Sequence, residues 1–146
     1  MTDLTCYDHA VRLLAPRPHF RAELSAKLAQ RGYPEEEIAA ALDRLVAEGY
    51  LDDARTARDF VAHRLERQAE GRLRLKAELV RRGAPAEAIA AALAEVPEDD
   101  LEAAREAAEK WARGHRPDPA ALARHLARKG FSRRAIFAVS NLDDEP

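Results

Sequence analysis

The chain has 146 residues with a formal net charge of −2 at pH 7, and 47% of its residues are hydrophobic against 34% charged. This length and composition allow a buried core and exclude a chain that is disordered throughout, and the charge lacks the strongly basic balance typical of nucleic-acid-binding proteins. Since only 5% of the residues are aromatic and few are β-branched, the composition favours helix over sheet and predicts an all-α protein.

The first three predicted helices form one unit at the N-terminus. The first begins at a Thr5–Asp8 pair with the spacing of a capping box and runs to about Ala15. The second ends at Gly32, because glycine just past the last turn adopts the left-handed conformation at little cost. The third begins at Pro34. Proline suits this position because the N–H groups in the first turn of a helix have no partner within the helix, and proline lacks an N–H.

The segment 49–53, Gly-Tyr-Leu-Asp-Asp, joins the third predicted helix to the fourth. Its glycine ends the one helix, its tyrosine and leucine fold back as apolar contacts, and Asp52 or Asp53 caps the next helix near Ala54. A metal site formed by these aspartates and Glu48 is a weaker alternative, because capping already accounts for them. We therefore interpret the segment as a structural joint made of Gly49, Tyr50, Leu51, Asp52 and Asp53.

The pattern of a helix, a glycine and a second helix occurs three times along the chain. When Gly32, Gly83 and Gly130 are aligned, leucines stand eight and four residues before each glycine and an isoleucine stands six residues after it. Leucines at this spacing lie on one face of a helix that ends at the glycine. The copies are about 50 residues apart, a period typical of repeat proteins in which the stacking of short helices supplies the core.

Two further apolar stripes place one more helix before each of the later pairs. One covers 57–65 and the other 101–111, and Asp118 with Pro119 begins the eighth predicted helix. We therefore predict about nine helices in three tandem three-helix repeats, stacked into an elongated, curved, solenoid-like array. The predicted limits of the repeats are 1–50, 51–96 and 97–142, followed by an acidic tail at 143–146.

Acidic and basic segments alternate along the predicted array. Residues 34–53 are acidic, whereas 61–83 and 113–134 are basic. Solvated charges that complement the helix dipole explain much of this pattern. The alternative is that several basic helix ends converge on one polyanionic surface.

No residue pattern indicates an enzyme, a metal site or a cofactor site. The three serines lack the context of an activated nucleophile, and Cys6 has no base placed beside it, so we expect a buried thiol. The five histidines lack the spacing of zinc ligands, and the six glycines form no phosphate-binding loop. A single cysteine excludes an internal disulfide. Because no apolar run suits a signal peptide or a membrane span, we expect a cytoplasmic protein without a membrane partner.

The first unit and the joint carry a family resemblance, which the later units continue. The first part of the pattern is Arg21-Ala-Glu-Leu24, Leu28, Arg31-Gly32-Tyr33, Ile38, Leu42, Leu45, segment 49–53, Ala57, Phe60-Val61 and Arg64. The continuation is 71–75, Glu78-Leu79, Gly83 and 126–132. Over residues 10–139 the chain resembles the RecX family, regulatory proteins of the RecA recombinase. It departs from the family at Phe20, where a small hydroxyl residue is usual, and at Thr56, where an aromatic residue is usual.

The resemblance implies a regulatory function in DNA repair, homologous recombination and the SOS response. RecX proteins are all-helical modulators that lie in the groove of the RecA filament on DNA and bridge neighbouring protomers. The chain is therefore expected to act as a monomer that limits filament growth, ATP hydrolysis, strand exchange and co-protease activity, with single- or double-stranded DNA as a further candidate partner. The candidate contact residues for recombinase or DNA are Arg72, Arg74, Lys76, Arg81, Arg82, Arg124, Arg128, Lys129, Arg133 and Arg134.

The alternative function is a helix-turn-helix protein that binds DNA without the recombinase. Arginine-bearing helices paired across a glycine resemble such folds. A recognition helix exposes Arg, Asn or Gln to the bases, however, and the segments 34–48 and 85–95 are acidic and rich in alanine. Only the short segment 132–141, with Arg133, Arg134 and Asn141, carries suitable residues.

Overall fold

The computed structural model describes residues 4–140, which contain nine α-helices and no β-strand. The helices are α1 (Cys6–Leu14), α2 (Arg21–Gln30), α3 (Glu35–Ala47), α4 (Asp53–Arg67), α5 (Arg72–Arg82), α6 (Ala86–Ala94), α7 (Leu101–Ala112), α8 (Pro119–Arg128) and α9 (Arg133–Ser140). The predicted all-α array is confirmed. Asn141 and the predicted acidic tail at 143–146 lie outside the described residues. Over the described range, no helix combines the length and the apolar character that crossing a bilayer requires.

Polar caps fix the beginnings of α1 and α8 where the sequence predicts them. The hydroxyl of Thr5 accepts a hydrogen bond from the N–H of Asp8 at 3.0 Å. The carboxylate of Asp118 accepts one from the N–H of Ala121 at 3.1 Å. Each cap satisfies an N–H group that has no partner inside its own helix.

The three aligned glycines end α2, α5 and α8 with the same geometry. Gly32, Gly83 and Gly130 have φ of 92°, 89° and 85°, in the left-handed region that a residue with a Cβ enters only at a cost. In each case the N–H of the following residue donates to a carbonyl five residues earlier, as from Ala84 to Leu79 at 3.0 Å. This bond satisfies a carbonyl that the helix end leaves open. The sequence repeat is therefore a repeated helix-ending motif.

Each group of three helices encloses its own hydrophobic core. Buried side chains of the three cores include Leu24, Leu28, Leu42 and Leu45 for α1–α3, Val61, Leu75, Leu79 and Leu93 for α4–α6, and Ala104, Leu126 and Phe131 for α7–α9. Phe20 precedes α2 in the chain, but its fully buried ring lies in the core of α4–α6. One aromatic side chain thus ties the first group to the second.

The middle helices of the three groups meet end to end. At one junction the carbonyl of Lys129, after α8, accepts a hydrogen bond from the N–H of Gly71, before α5, at 2.8 Å. At the other, a Cβ built on Gly83 after α5 would lie 2.8 Å from the Cβ of Ala22 in α2. The carboxyl end of α8 therefore faces the amino end of α5, and the carboxyl end of α5 faces the amino end of α2. This order places the negative end of one helix dipole beside the positive end of the next.

Candidate interaction surface

The ten basic residues proposed from the sequence divide into two groups of different exposure. Four are partly buried, namely Arg72, Arg74, Arg82 and Lys129. Six are exposed, namely Lys76, Arg81, Arg124, Arg128, Arg133 and Arg134. The partly buried group makes contacts inside the molecule, so only the exposed group has its charge freely available to a partner.

Arg72 holds the carboxyl end of α6 within the second helix group. Its Nη1 donates to the carbonyl of Leu93 at 2.9 Å and to that of Val96 at 3.0 Å. A guanidinium that neutralises open carbonyls at a helix end stabilises that end. Arg72 therefore acts within the fold.

Arg82 ties the end of α5 to the start of α2. Its Nη2 donates to Oε1 of Glu23 at 2.9 Å, and its guanidinium carbon lies 5.0 Å from the centre of the Phe20 ring. Burial alone would raise the pKa of Glu23, but the hydrogen bonds from Arg82 and from the Phe20 N–H outweigh it and leave the pKa lowered. This ion pair joins the first two groups of helices.

Arg74 and Lys129 bridge the second and third groups. Nη1 of Arg74 donates to the carbonyl of Arg128 at 3.2 Å, and Nζ of Lys129 donates to Oε1 of Gln68 at 2.9 Å. Both side chains lie near the buried carboxylate of Glu70, whose Oε1 is 3.5 Å from Nε of Arg74. These contacts hold α8 against the beginning of α5.

The carboxylate of Glu70 is the centre of an ion-pair network under this junction. It is 2% exposed, and its Oε1 accepts hydrogen bonds from Arg64 at 2.5 Å and from Gln68 at 3.2 Å. Arg64 also donates to Glu78, which lowers the pKa of Glu78. A buried carboxylate needs such partners because its desolvation is otherwise very costly.

Lys76 of α5 shares a helix face with two exposed apolar side chains, and Arg81 lies next to that face. Leu73 and Val80 are 64% and 58% exposed, and with Lys76 they follow one another at spacings of three and four residues, while the exposed Arg81 follows Val80 directly. We call this set, Leu73, Lys76, Val80 and Arg81, the outer face of α5. Large exposed apolar side chains next to cations are typical of a surface that binds a protein partner.

The basic side chains of α8 continue this pattern. Arg124 and Arg128 are exposed on α8, and Arg128 occupies the same position relative to Gly130 that Arg81 occupies relative to Gly83. Because the carboxyl end of α8 faces the amino end of α5, the two exposed sets follow one another along the array. Together they form the candidate interaction surface.

The two exposed arginines of α9 lie at the start of that helix. Arg133 and Arg134 follow Ser132, whose N–H and hydroxyl both donate to Asp100 at 2.6 Å. The hydroxyl of Ser132 in turn accepts from the N–H of Ala135 at 3.2 Å, so Ser132 caps the start of α9. Arginines in the first turn do not complement the helix dipole, so the dipole does not account for these two residues.

The two aspartates of the joint cap two different helices. The carboxylate of Asp52 accepts from the N–H of Arg55 at 3.1 Å and caps α4. The carboxylate of Asp53 accepts from the N–H of Arg21 at 2.9 Å and caps α2. The second bond satisfies an amino end at which Phe20 supplies no side-chain acceptor. Capping thus accounts for both carboxylates of the joint.

The structure corrects the prediction for Tyr50. Leu51 is buried as predicted, whereas the side chain of Tyr50 is 64% exposed. The backbone N–H of Tyr50 donates to the carbonyl of Leu45 in the helix-ending motif, which directs the side chain outward. It lines an open cleft of about 680 Å³ together with Val11 and Thr56. The sequence pattern predicts the turn but does not determine which of its apolar residues enters the core.

Comparisons with known proteins agree with the architecture. Residues 6–45 match the model of the first three-helix domain of RecX, and residues 52–93 match that of the second. The chain is 45% identical to the regulatory protein RecX of Chlorobaculum tepidum, over 70% of this chain and 63% of that one. It is 38% identical to the regulatory protein RecX of Mycobacterium sp. strain JLS, over 92% of this chain and 79% of that one.

Solved structures show the same fold. The crystal structure of RecX from Lactobacillus salivarius superimposes with a TM-score of 0.80, covers 93% of this chain and 92% of that chain, and is 22% identical. A second crystal structure, of a regulatory protein RecX, gives the same TM-score at 23% identity and is covered over 71% of its length. The similarity extends beyond the two matched domains, since 93% of this chain includes most of the third helix group.

Proposed function

Because the chain belongs to the RecX family of regulatory proteins, we propose that it binds the RecA recombinase filament on DNA and limits filament growth. ATP hydrolysis, strand exchange and co-protease activity then fall as consequences. The observation that carries this proposal is the candidate interaction surface on α5 and α8, where exposed apolar side chains stand among cations. Such a mixed surface suits an acidic protein partner, which the cations attract and the apolar residues bind after desolvation.

The tandem arrangement supports binding to a filament. A filament presents the same surface at a regular spacing, and consecutive helix groups of one chain present similar helices at a regular spacing. Several weak contacts of this kind act together because the second contact is intramolecular once the first has formed. A monomer of this length therefore gains affinity for an assembled filament over a single recombinase subunit.

The alternative, a helix-turn-helix protein that acts on DNA alone, has less support. Glu35, Glu36 and Glu37 are all exposed in the first turn of α3, where they repel a phosphate backbone. Of the helices that follow the three aligned glycines, only α9 begins with arginines, and its described part has eight residues. Tight, steeply salt-dependent binding to bare duplex DNA would favour this alternative.

The proposal is tested by titrating the protein into recombinase from the same organism, assembled on single-stranded DNA, while ATP hydrolysis is followed. We expect inhibition at less than one molecule per recombinase protomer, because a bound chain contacts more than one subunit or blocks growth. Unchanged hydrolysis in the presence of excess protein would contradict the proposal.

The surface is tested by reversing the charges on α5. Lys76→Glu with Arg81→Glu weakens inhibition by about tenfold or more, since reversal replaces attraction with repulsion at a protein interface. The matched control is Arg58→Glu with Arg105→Glu, which makes the same change of charge at exposed positions of α4 and α7. An equal loss in both variants would show that net charge, rather than the outer face of α5, determines inhibition.

A further inference from the structure

A cavity of about 410 Å³ lies where the end of α4 meets α7 and α8. It includes Trp111, the single tryptophan of the chain. Its walls also carry a cluster of basic side chains, namely Arg67, Lys110, Arg113, Lys129, His115 and His125. The sequence pattern places Trp111 on the apolar stripe of its helix, so this combination was not predicted.

The aromatic part of the cavity is a stack of two rings. The rings of Trp111 and His115 are parallel within 3°, with their centres 4.3 Å apart. Nδ1 of His115 lies 2.7 Å from the carbonyl oxygen of Trp111, which holds the imidazole in this position. Trp111 is partly buried while His115 is exposed, so the stack has a fixed inner ring and an accessible outer ring.

The basic part of the cavity has few internal partners. Within residues 4–140, Arg67, Lys110 and Arg113 are exposed and form no salt bridge. Two acidic residues, Glu106 and Glu109, line the same cavity and leave an excess of positive charge. Uncompensated cations around a concave surface raise the local concentration of anions.

The pKa values of the partly buried members agree with this excess. Burial lowers the pKa of Lys129, and the charges of Lys110, Arg74 and Arg64 lower it further against the opposing effect of Glu70. Burial also lowers the pKa of His125, and Lys129 contributes to the same shift. A bound anion would relieve this repulsion.

We propose that this cavity binds an unpaired nucleotide of single-stranded nucleic acid, with the base on the Trp111–His115 stack and the flanking phosphates beside Arg67, Lys110 and Arg113. Base stacking on aromatic rings within a cationic groove is the common mode of single-strand binding. An acidic peptide would use the cations but not the rings, and a duplex would not offer the face of a base. The inference rests on the proposed function in one respect, because the recombinase filament on DNA is the setting in which the protein encounters a single strand.

The single tryptophan makes the cavity directly observable. Titration of the full chain at low salt with an oligothymidylate of about 12 nucleotides is expected to quench the fluorescence of Trp111. In a parallel anisotropy measurement with a labelled oligonucleotide, Trp111→Leu lowers the affinity by about fivefold or more, since stacking contributes roughly that much per base at its lower limit. Trp111→Phe keeps an aromatic face and lowers the affinity less than Trp111→Leu does.

The phosphate contacts are tested by Arg67→Gln and Arg113→Gln, which are expected to reduce the slope of log affinity against log salt by about 0.7 each. The matched control is Arg105→Gln, an exposed arginine of the same helix as Trp111 that does not line the cavity. Circular dichroism of each variant verifies that the fold is retained.

Two results would overturn the inference. The first is an oligonucleotide affinity that is the same for the wild type, Trp111→Leu and Arg113→Gln. The second is equally tight binding of thymidine monophosphate or polyglutamate, which would assign the cavity to a free nucleotide or to an acidic protein. Neither result contradicts the proposed function if the wild type still inhibits the recombinase. Conversely, a wild type that binds oligothymidylate but does not inhibit the recombinase would contradict the proposed function and leave this inference intact.

Discussion

Phe20 shows how a single residue links two parts of the repeat. It occupies the N-cap position of α2, yet its fully buried ring lies in the core formed by α4–α6. The N–H groups of Phe20 and Arg21 donate to the carboxylates of Glu23 and Asp53. Phe20 thus supplies an apolar contact between the first and second helix groups, while acidic side chains bind the N–H groups at the start of α2.

We expect Phe20→Ala to lower the free energy of unfolding by about 3–5 kcal/mol, because it removes a buried aromatic ring and leaves a cavity between two helix groups. Urea denaturation followed by circular dichroism measures the change. Tyr50→Ala is the control, since its ring is mostly exposed, and it should change the free energy by about 0.5 kcal/mol or less. Similar losses in the two variants would contradict the role assigned to Phe20.

We expect His19 to make the same region sensitive to acid. It is 2% exposed, its Nε2 lies 2.7 Å from Nζ of Lys27, and its Nδ1 lies 3.1 Å from the carbonyl of Arg17. A neutral imidazole satisfies both contacts, accepting from the lysine and donating to the carbonyl. Burial lowers the pKa of His19, and the charges of Lys27 and Arg17 lower it further, against the hydrogen bond to the Arg17 carbonyl.

The sign of the resulting pH dependence follows from proton uptake. Below the ordinary pKa of 6.5, the unfolded chain binds a proton at His19 that the folded chain does not bind. The free energy of unfolding therefore decreases as the pH falls through and below 6.5, towards the lowered pKa of the folded state. Urea denaturation between neutral and mildly acidic pH should show a shallower decrease for His19→Gln than for the wild type. The matched variant His63→Gln, at an exposed position, should show the same pH dependence of unfolding free energy as the wild type. An equal pH dependence in all three proteins would refute the role of His19.

At the scale of the helices, the junction between α8 and α5 depends on two glycines in close contact. A Cβ on Gly71 would lie 2.0 Å from the carbonyl oxygen of Gly130. The backbone of Gly71 has φ of −87°, which alanine adopts without strain. Any cost of an alanine at this position therefore comes from separation of the two helices.

We expect Gly71→Ala to lower the free energy of unfolding by about 1–3 kcal/mol through this steric conflict. Hydrogen exchange should locate the loss of protection at the facing ends of α5 and α8. Gly114→Ala is the control, because a Cβ at Gly114 meets no atom within 4 Å. Unchanged stability and exchange in Gly71→Ala would show that the junction adjusts without cost.

The helices themselves could be predicted from the sequence because their signals are local. Glycine at a left-handed position, proline in a first turn and the Thr5 and Asp118 caps each act within a few residues. The contact of Asp53 with α2 spans 32 residues and depends on how the second helix group packs on the first. The same limit applies to Asp100, which serves the start of α9 from the start of α7. Local patterns indicate that an aspartate caps a helix, but packing determines which helix it caps.

At the scale of the whole molecule, exposure rather than charge separates the candidate residues. The sequence does not distinguish among the ten basic residues predicted to contact a partner. In the structure, four of them bind carbonyls, carboxylates and an amide inside the array, namely Arg72, Arg74, Arg82 and Lys129. The difference arises where one helix group contacts the next, and a single sequence does not specify those contacts. The aromatic and basic cavity around Trp111 was missed for the same reason, since its walls come from helices distant in sequence.

The two exposed sets on α5 and α8 lead to a prediction about how the array acts as a whole. If both contact the recombinase, their contributions to binding are close to additive, because they lie on separate helices and share no partner in the chain. Arg124→Glu with Arg128→Glu should then weaken inhibition of ATP hydrolysis by about tenfold, and its combination with Lys76→Glu and Arg81→Glu by about a hundredfold. Dose–response curves at fixed salt measure these changes, with Arg58→Glu and Arg105→Glu added to each background as the control for net charge. A combined variant no weaker than the α5 variant would mean that only the middle helix group contacts the filament, and the tandem arrangement would then serve stability rather than binding.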